Sequence, residues 1–115
     1  GELTAMDADN AFAGYIANRG GSVLTRPVEI VGPQLDVNFS CIWGELRVEI
    51  REAGRPVPGY TLKDCVPVRP DEHAKQTRFR VTWKDKSGLQ ELMKKKVQLR
   101  FVFRVGTLYA YRFGE

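Results

Sequence analysis

Period-two alternation dominates the chain. From Gln34 to Cys41 the apolar residues Leu35, Val37, Phe39 and Cys41 are separated by Asp36, Asn38 and Ser40. That is the pattern of a strand that buries one face and wets the other. In the next run Leu46, Val48 and Ile50 alternate with Glu45, Arg47, Glu49 and Arg51, and Ile42-Trp43-Gly44 between the two runs reads as a hairpin connection. Phe79, Val81 and Trp83 alternate with Arg78, Arg80 and Thr82. Val97, Leu99, Phe101, Phe103 and Val105 do so with Gln98, Arg100, Val102 and Arg104. Beyond a turn at Gly106, Thr107 to Phe113 reads as a closing strand with Tyr109, Tyr111 and Phe113 on one side. Ala11 to Ala17 and Ser22 to Val31 are weaker strands. Pro27 interrupts the second and places it at an edge or at a switch between strands, since proline cannot donate to a ladder.

The punctuation agrees with short strands. Ala53-Gly54-Arg55-Pro56 and Pro58-Gly59 mark turns, and Val66 to Ala74, with two prolines and several charges, reads as a loop. Only Ser87 to Lys95 looks helical, with Ser87 as its cap and Leu89, Leu92 and Met93 on one face, giving one short helical turn near 88–95. About seven or eight strands with one-sided alternation are buried most simply as two sheets packed face to face. The expected fold is an all-β antiparallel two-sheet β-sandwich, jelly-roll or Greek-key in connectivity.

Composition narrows the picture further. With 115 residues the chain has the size of a single domain, residues 1–115, and 43% hydrophobic residues suffice for one core. Gly1 reads as the scar of a cleaved tag, so the domain is expected to be excised from a longer protein. Gly1 to Asn10 carries acids and no basic region of the kind a signal peptide opens with, and no stretch reaches the apolar length of a membrane span. Eighteen Lys and Arg against 14 Asp and Glu give a formal charge of +4, a field that mildly favours acidic partners and equally serves solubility. Cys41 and Cys65 match neither a zinc site nor a redox C-x-x-C; they are either one disulfide or two buried thiols.

A reaction is hard to build from these residues. Asp64, Asp71 and Glu72 flank the proline-rich loop, but clustered loop carboxylates are ordinarily just solvated, and a glycosidase needs two at a defined separation in a cleft. His73, the only histidine, sits among Glu72, Ala74 and Lys75 as a surface loop residue would. No nucleophile elbow, zinc-protease helix, calcium loop or phosphate-cradling glycine motif is present. No catalytic residue, metal site or cofactor is therefore expected.

Binding is easier to support. Arg78, Arg80, Arg100 and Arg104 take outward strand positions, and Lys94-Lys95-Lys96 is a short basic run. On adjacent strands these arginines would form a positive stripe for phosphates or acidic glycans. Alternatively, Glu45 and Glu49 pair with them across strands as ordinary surface design. Sugar rings pack their C–H faces on aromatics, which singles out Trp43 at the expected hairpin tip and Tyr60 at a turn exit, whereas the alternation puts Trp83 in the core. Asn38-Phe39-Ser40 matches the N-glycosylation pattern but lies inside a strand.

From Asn10 to Phe113 the chain resembles a β-sandwich module at the C-terminal end of bacterial secreted proteins related to glycoside hydrolases, where a β-propeller-like or sialidase-like part precedes it. The matching segments are Gly21 to Pro27, Leu35 to Asn38, Gly44 to Ile50, Gly54 to Tyr60, Asp64 to Val68, Val81 to Trp83, Val97 to Phe101 and Leu108 to Phe113. Where the module's loop runs from Pro67-Val68 into a Gly-Asp pair, this chain departs with Arg69-Pro70-Asp71. The resemblance implies a secreted, periplasmic or cell-surface accessory domain without chemistry of its own. Its partner would be the preceding catalytic domain of the parent chain, with structural support or weak glycan binding as its role and no nucleic acid expected. An interaction module that holds an acidic polymer on a basic strand face is the alternative.

Overall fold

The structure is a computed structural model and describes residues 2–3, 15–17, 21–41, 44–70, 78–103 and 106–114. Among these, ten strands form two sheets: β1 (Glu2–Leu3), β2 (Tyr15–Ala17), β3 (Gly21–Leu24), β4 (Val28–Glu29), β5 (Gln34–Cys41), β6 (Leu46–Glu52), β7 (Arg55–Pro56), β8 (Arg78–Val81), β9 (Lys96–Phe103) and β10 (Gly106–Gly114). One sheet runs β1-β3-β9-β6-β7, with β4 also on β9; the other runs β2-β10-β5-β8. All pairs are antiparallel except β1 with β3. The expected all-β two-sheet sandwich is the fold that forms.

Alternation sets which side chains meet. Leu35, Val37 and Phe39 of β5, Val81 of β8 and Leu108 and Tyr111 of β10 are buried. So are Leu46, Val48 and Ile50 of β6 and Val97, Leu99, Phe101 and Phe103 of β9 in the other sheet. Aromatic rings stitch the two faces together: Phe39 meets Phe103 edge-on and Phe101 meets Tyr111, both at 5.4 Å between centroids. Burying each such ring or branched chain stabilises the sandwich by roughly 1.5–3 kcal/mol.

Pro27 acts as a switch point along one flank of β9. β3 pairs with Arg100 to Phe103 and β4 with Lys96 and Val97, so both halves lie on β9 with a break between them. Thr25 covers the break. Its N–H donates to Leu99 O at 2.9 Å, its hydroxyl accepts from Leu99 N at 2.9 Å, and its carbonyl accepts from the Gln98 amide at 2.9 Å. A side chain thus replaces ladder bonds that the segment would otherwise leave open. The β6–β7 hairpin closes through Ala53 and Gly54, both at positive φ (52° and 79°), as a two-residue type I′ turn requires.

Three sequence expectations need correction. β5 and β6 lie in different sheets, so the two runs do not pair as a hairpin. Gly106 is already in strand, opposite Cys41, and a bulge at Tyr109 interrupts the simple alternation of β10. Leu108 therefore joins Tyr111 on the buried side, two inward residues separated by three positions instead of two. Finally, the Ser87 to Lys95 helix shrinks to one 3-10 turn, Gln90–Leu92, without a side-chain cap, and Ser87 is exposed. The reason lies in its partners. Leu89 N donates to Pro33 O at 2.7 Å, Lys94 N to Ile30 O at 2.9 Å and Ile30 N to Lys95 O at 3.0 Å, so these backbone groups are used between segments. Leu89 and Leu92 do go into the core, while Met93 stays partly exposed.

Cys65 is a buried free thiol, which accepts a hydrogen bond from Val48 N at 3.3 Å. Burial pushes its pKa up and keeps it protonated.

Candidate functional site

The outer faces of the two sheets carry different charge patterns. On the larger sheet, acids and bases neutralise each other. Arg47 Nε lies 2.7 Å from Glu45 Oε2, Arg69 Nη2 2.8 Å from Glu45 Oε1, and Arg51 Nη1 2.6 Å from Glu49 Oε1. Hydrogen bonds from Arg47, then Arg69, hold the Glu45 carboxyl below its usual range. Arg100 stands directly opposite Glu49 in the β6–β9 register. The face does mix signs, but Glu45 and Glu49 pair with Arg47, Arg51 and Arg69, and of the described arginines expected across strands only Arg100 lies opposite one of them.

The smaller sheet is organised differently. Its register sets two cross-strand rungs side by side on the solvent face: Arg112–Asp36–Arg80, and next to it Ala110–Asn38–Arg78. The bulge at Tyr109 resets the phase of β10, so that with Leu108 and Tyr111 inward, Ala110 and Arg112 fall on the same face as Asp36 and Asn38. Two registers and one irregularity build this face.

Asp36 is its pivot. The residue is only 7% exposed, yet it sits in a central strand with an ionisable side chain. Arg80 Nε donates to Asp36 Oδ1 at 3.0 Å, with Nη2 3.5 Å from Oδ2. From the other side Arg112 Nε approaches Oδ2 to 3.9 Å, an ion pair longer than a hydrogen bond. The hydrogen bond to Asp36 raises the pKa of Arg80. Both guanidiniums remain about half exposed, at 49% and 59% of the side chain. One covered carboxylate thus holds two solvent-facing cations, each with several N–H donors in a planar fork.

A depression of about 260 Å³ opens on this face, lined by Asp36, Asn38, Arg78, Ala110 and Arg112 among others. Ala110 is its small residue, opposite Asn38, where a longer side chain would occupy the space. The Asn38 carboxamide oxygen is shielded from water and has no hydrogen-bond partner among the described residues. Two guanidiniums, Arg78 and Arg112, therefore line a polar hollow that contains one carboxylate, and the third, Arg80, is hydrogen-bonded to that carboxylate.

Of the residues the sequence singled out, Arg78 and Arg80 lie together on β8 in this face. Arg100 lies on β9 in the opposite sheet, so the three do not form one stripe. Tyr60 is a core residue, 1% exposed, with its ring 5.0 Å from Trp83 and its hydroxyl donating to Gly88 O at 3.1 Å. No face of that ring is open to a sugar. Trp83 is also in the core, its indole N–H donating to Val48 O at 3.0 Å. Trp43 lies outside the described residues, as do Asp71, Glu72, His73 and Arg104. Asp64 serves its own turn, accepting from the Thr61 hydroxyl at 2.8 Å, a bond that lowers its pKa. The lysine run is exposed, with Lys95 3.9 Å from Glu52 and Lys96 opposite Glu29.

Asp36, Ala110 and Arg112 were not singled out from sequence. Their outward position was readable from alternation, but which strands flank β5 was not. Among the described residues no three His, Cys, Asp or Glu side chains gather as a metal site would need, and no helix is long and apolar enough to cross a membrane. No protein-family model, curated protein or solved structure matches this chain.

Proposed function

We propose that this chain is a non-catalytic accessory sandwich domain that binds an acidic glycan on the outer face of its four-stranded sheet. The observation that carries this reading is the pair of rungs that gathers Arg78, Arg80 and Arg112 on one face, with Arg78 and Arg112 lining its hollow. Guanidinium forks match carboxylates in shape and charge, and an exposed positive face draws anionic polymers toward it. The carboxylate present there, Asp36, is committed to Arg80 and Arg112, and the face has no second acid among the described residues to complete a hydrolytic pair. Hence binding is proposed, without cleavage.

A glycan is preferred over other acidic polymers for two reasons. The resemblance to sandwich modules of secreted glycoside-hydrolase-like proteins makes a polysaccharide the natural partner of the parent chain. The described outer face also offers no stacked aromatics, on which single-stranded nucleic acid binding usually depends.

Titration of the domain with polygalacturonate and with neutral dextran, at low and high salt, tests the reading. Polygalacturonate is expected to bind at low salt and weaken steeply as salt rises, because exposed charges are screened within about 10 Å at 0.1 M. Dextran is expected not to bind. Equal binding of both polymers, or of neither, would overturn the proposal.

A further inference from the structure

We infer that the hollow between β5 and β10 is a subsite for a single carboxylate-bearing sugar residue, gripped by the guanidinium fork of Arg112 and seated over Ala110. This inference rests on the glycan reading above and makes it specific: a site of fixed geometry, as opposed to a diffuse positive surface.

Four observations converge on it. The hollow measures about 260 Å³, just below the range of about 300–1,000 Å³ typical of small-molecule pockets, so it suits one ring and not a longer segment. Arg112 contacts Asp36 only at ion-pair distance, 3.9 Å, whereas Arg80 is hydrogen-bonded to it at 3.0 Å. Arg112 is thus the less committed fork at the rim, and Arg78 stands across the hollow from it in the neighbouring rung. Asn38 lines the same hollow, and its shielded carboxamide oxygen is an acceptor that a sugar hydroxyl would satisfy once the carboxamide rotates toward it.

The acid at the centre also discriminates between polyanions. A nucleic acid duplex carries one charge per roughly 1.7 Å of its axis. Laid on this face, it would bring several phosphates toward Asp36, whose carboxylate repels them. A polyuronate carries one charge per sugar, so a single carboxylate can meet Arg112 and Arg78 while its ring covers Ala110.

The test uses trigalacturonate and its methyl ester as probes, with the intact domain and two variants that leave the formal charge unchanged. Ala110→Leu fills the hollow. Arg112→Lys keeps the positive charge but removes the fork. Trigalacturonate is expected to bind saturably, its methyl ester at least about tenfold more weakly, and each variant about tenfold more weakly than the parent. Circular dichroism and thermal melts of both variants separate a folding defect from a binding defect. Should Ala110→Leu fail to fold, Arg112→Lys decides alone. If both folded variants bind like the parent, the subsite is wrong; if polygalacturonate still binds in a salt-dependent way, the broader face survives that failure. If neither probe nor polymer binds the parent domain, both readings fall.

Discussion

Trp83→Ala is expected to lower the stability of the domain by about 3–5 kcal/mol, a large part of the roughly 5–15 kcal/mol that holds a domain folded. The indole is 2% exposed, packs edge-on against Tyr60 and donates to Val48 O, so it ties the segment after β7 and the end of β8 to β6. Truncation removes the ring, opens a cavity beside Tyr60 and leaves the Val48 carbonyl without its indole donor. Trp83→Phe keeps most of the ring and loses the N–H, for an expected loss of about 1–3 kcal/mol. Urea and thermal melts of the two variants check this. With roughly 4 °C of melting temperature per kcal/mol for a domain of this size, the alanine variant should melt about 12–20 °C lower. A shift under about 4 °C would mean that the indole is not a core element.

The second large effect concerns binding. Reversing two charges on the four-stranded face, Arg78→Glu with Arg112→Glu, is expected to abolish polygalacturonate binding at any salt concentration. Each charge-assisted contact contributes about 1.5–3 kcal/mol, and replacement by an acid adds repulsion, so the pair should cost more than a hundredfold in affinity. Both side chains are solvent-facing and Asp36 keeps its hydrogen bond from Arg80, so the fold should survive the added acid beside Asp36, which circular dichroism and a thermal melt check. Arg55→Glu with Lys63→Glu is the charge-matched control: both residues are exposed and neither lines the hollow. It is expected to leave affinity within about twofold, since it changes the net charge without touching the site. Equal losses from the control and the double reversal would indicate attraction by net charge alone.

Much of the fold was legible because burial imposes a period of two. Gln34 to Cys41 emerges as β5 with the predicted Leu35, Val37 and Phe39 inward, and Phe79, Val81 and Trp83 turn toward the core as their spacing required. Pro27 marked a switch because a missing N–H is a local fact. What alternation cannot encode is pairing. A strand that passes to the opposite sheet and one that turns back as a hairpin show the same inward and outward residues, so Ile42-Trp43-Gly44 read as a hairpin although β5 and β6 lie in different sheets. For the same reason alternation left open whether Arg100 stands beside Arg78 and Arg80; β9 and β8 lie in different sheets. The bulge at Tyr109 was equally hidden, since either phase of Leu108-Tyr109-Ala110-Tyr111 gives an apolar row.

The candidate site was half visible. Arg78 and Arg80 stood out as basic residues on outward positions. Asp36 looked like any polar residue of an amphipathic strand, and its importance comes from the two arginines that the flanking strands bring to it from 44 and 76 positions away. Tyr60 misled for a comparable reason. A tyrosine after a Pro-Gly turn could project outward, but here Tyr60 N bonds back to Val57 O and the ring turns inward onto Trp83.

The most direct measurement is a nitrogen-15 chemical-shift map of the labelled domain titrated with trigalacturonate. The account predicts that the perturbed amides cluster on Asp36, Asn38, Arg78, Arg80, Ala110 and Arg112, with the outer face of the six-stranded sheet silent. Shifts concentrated on Arg47, Glu49 and Arg100 instead, or spread evenly over all exposed cations, would contradict it.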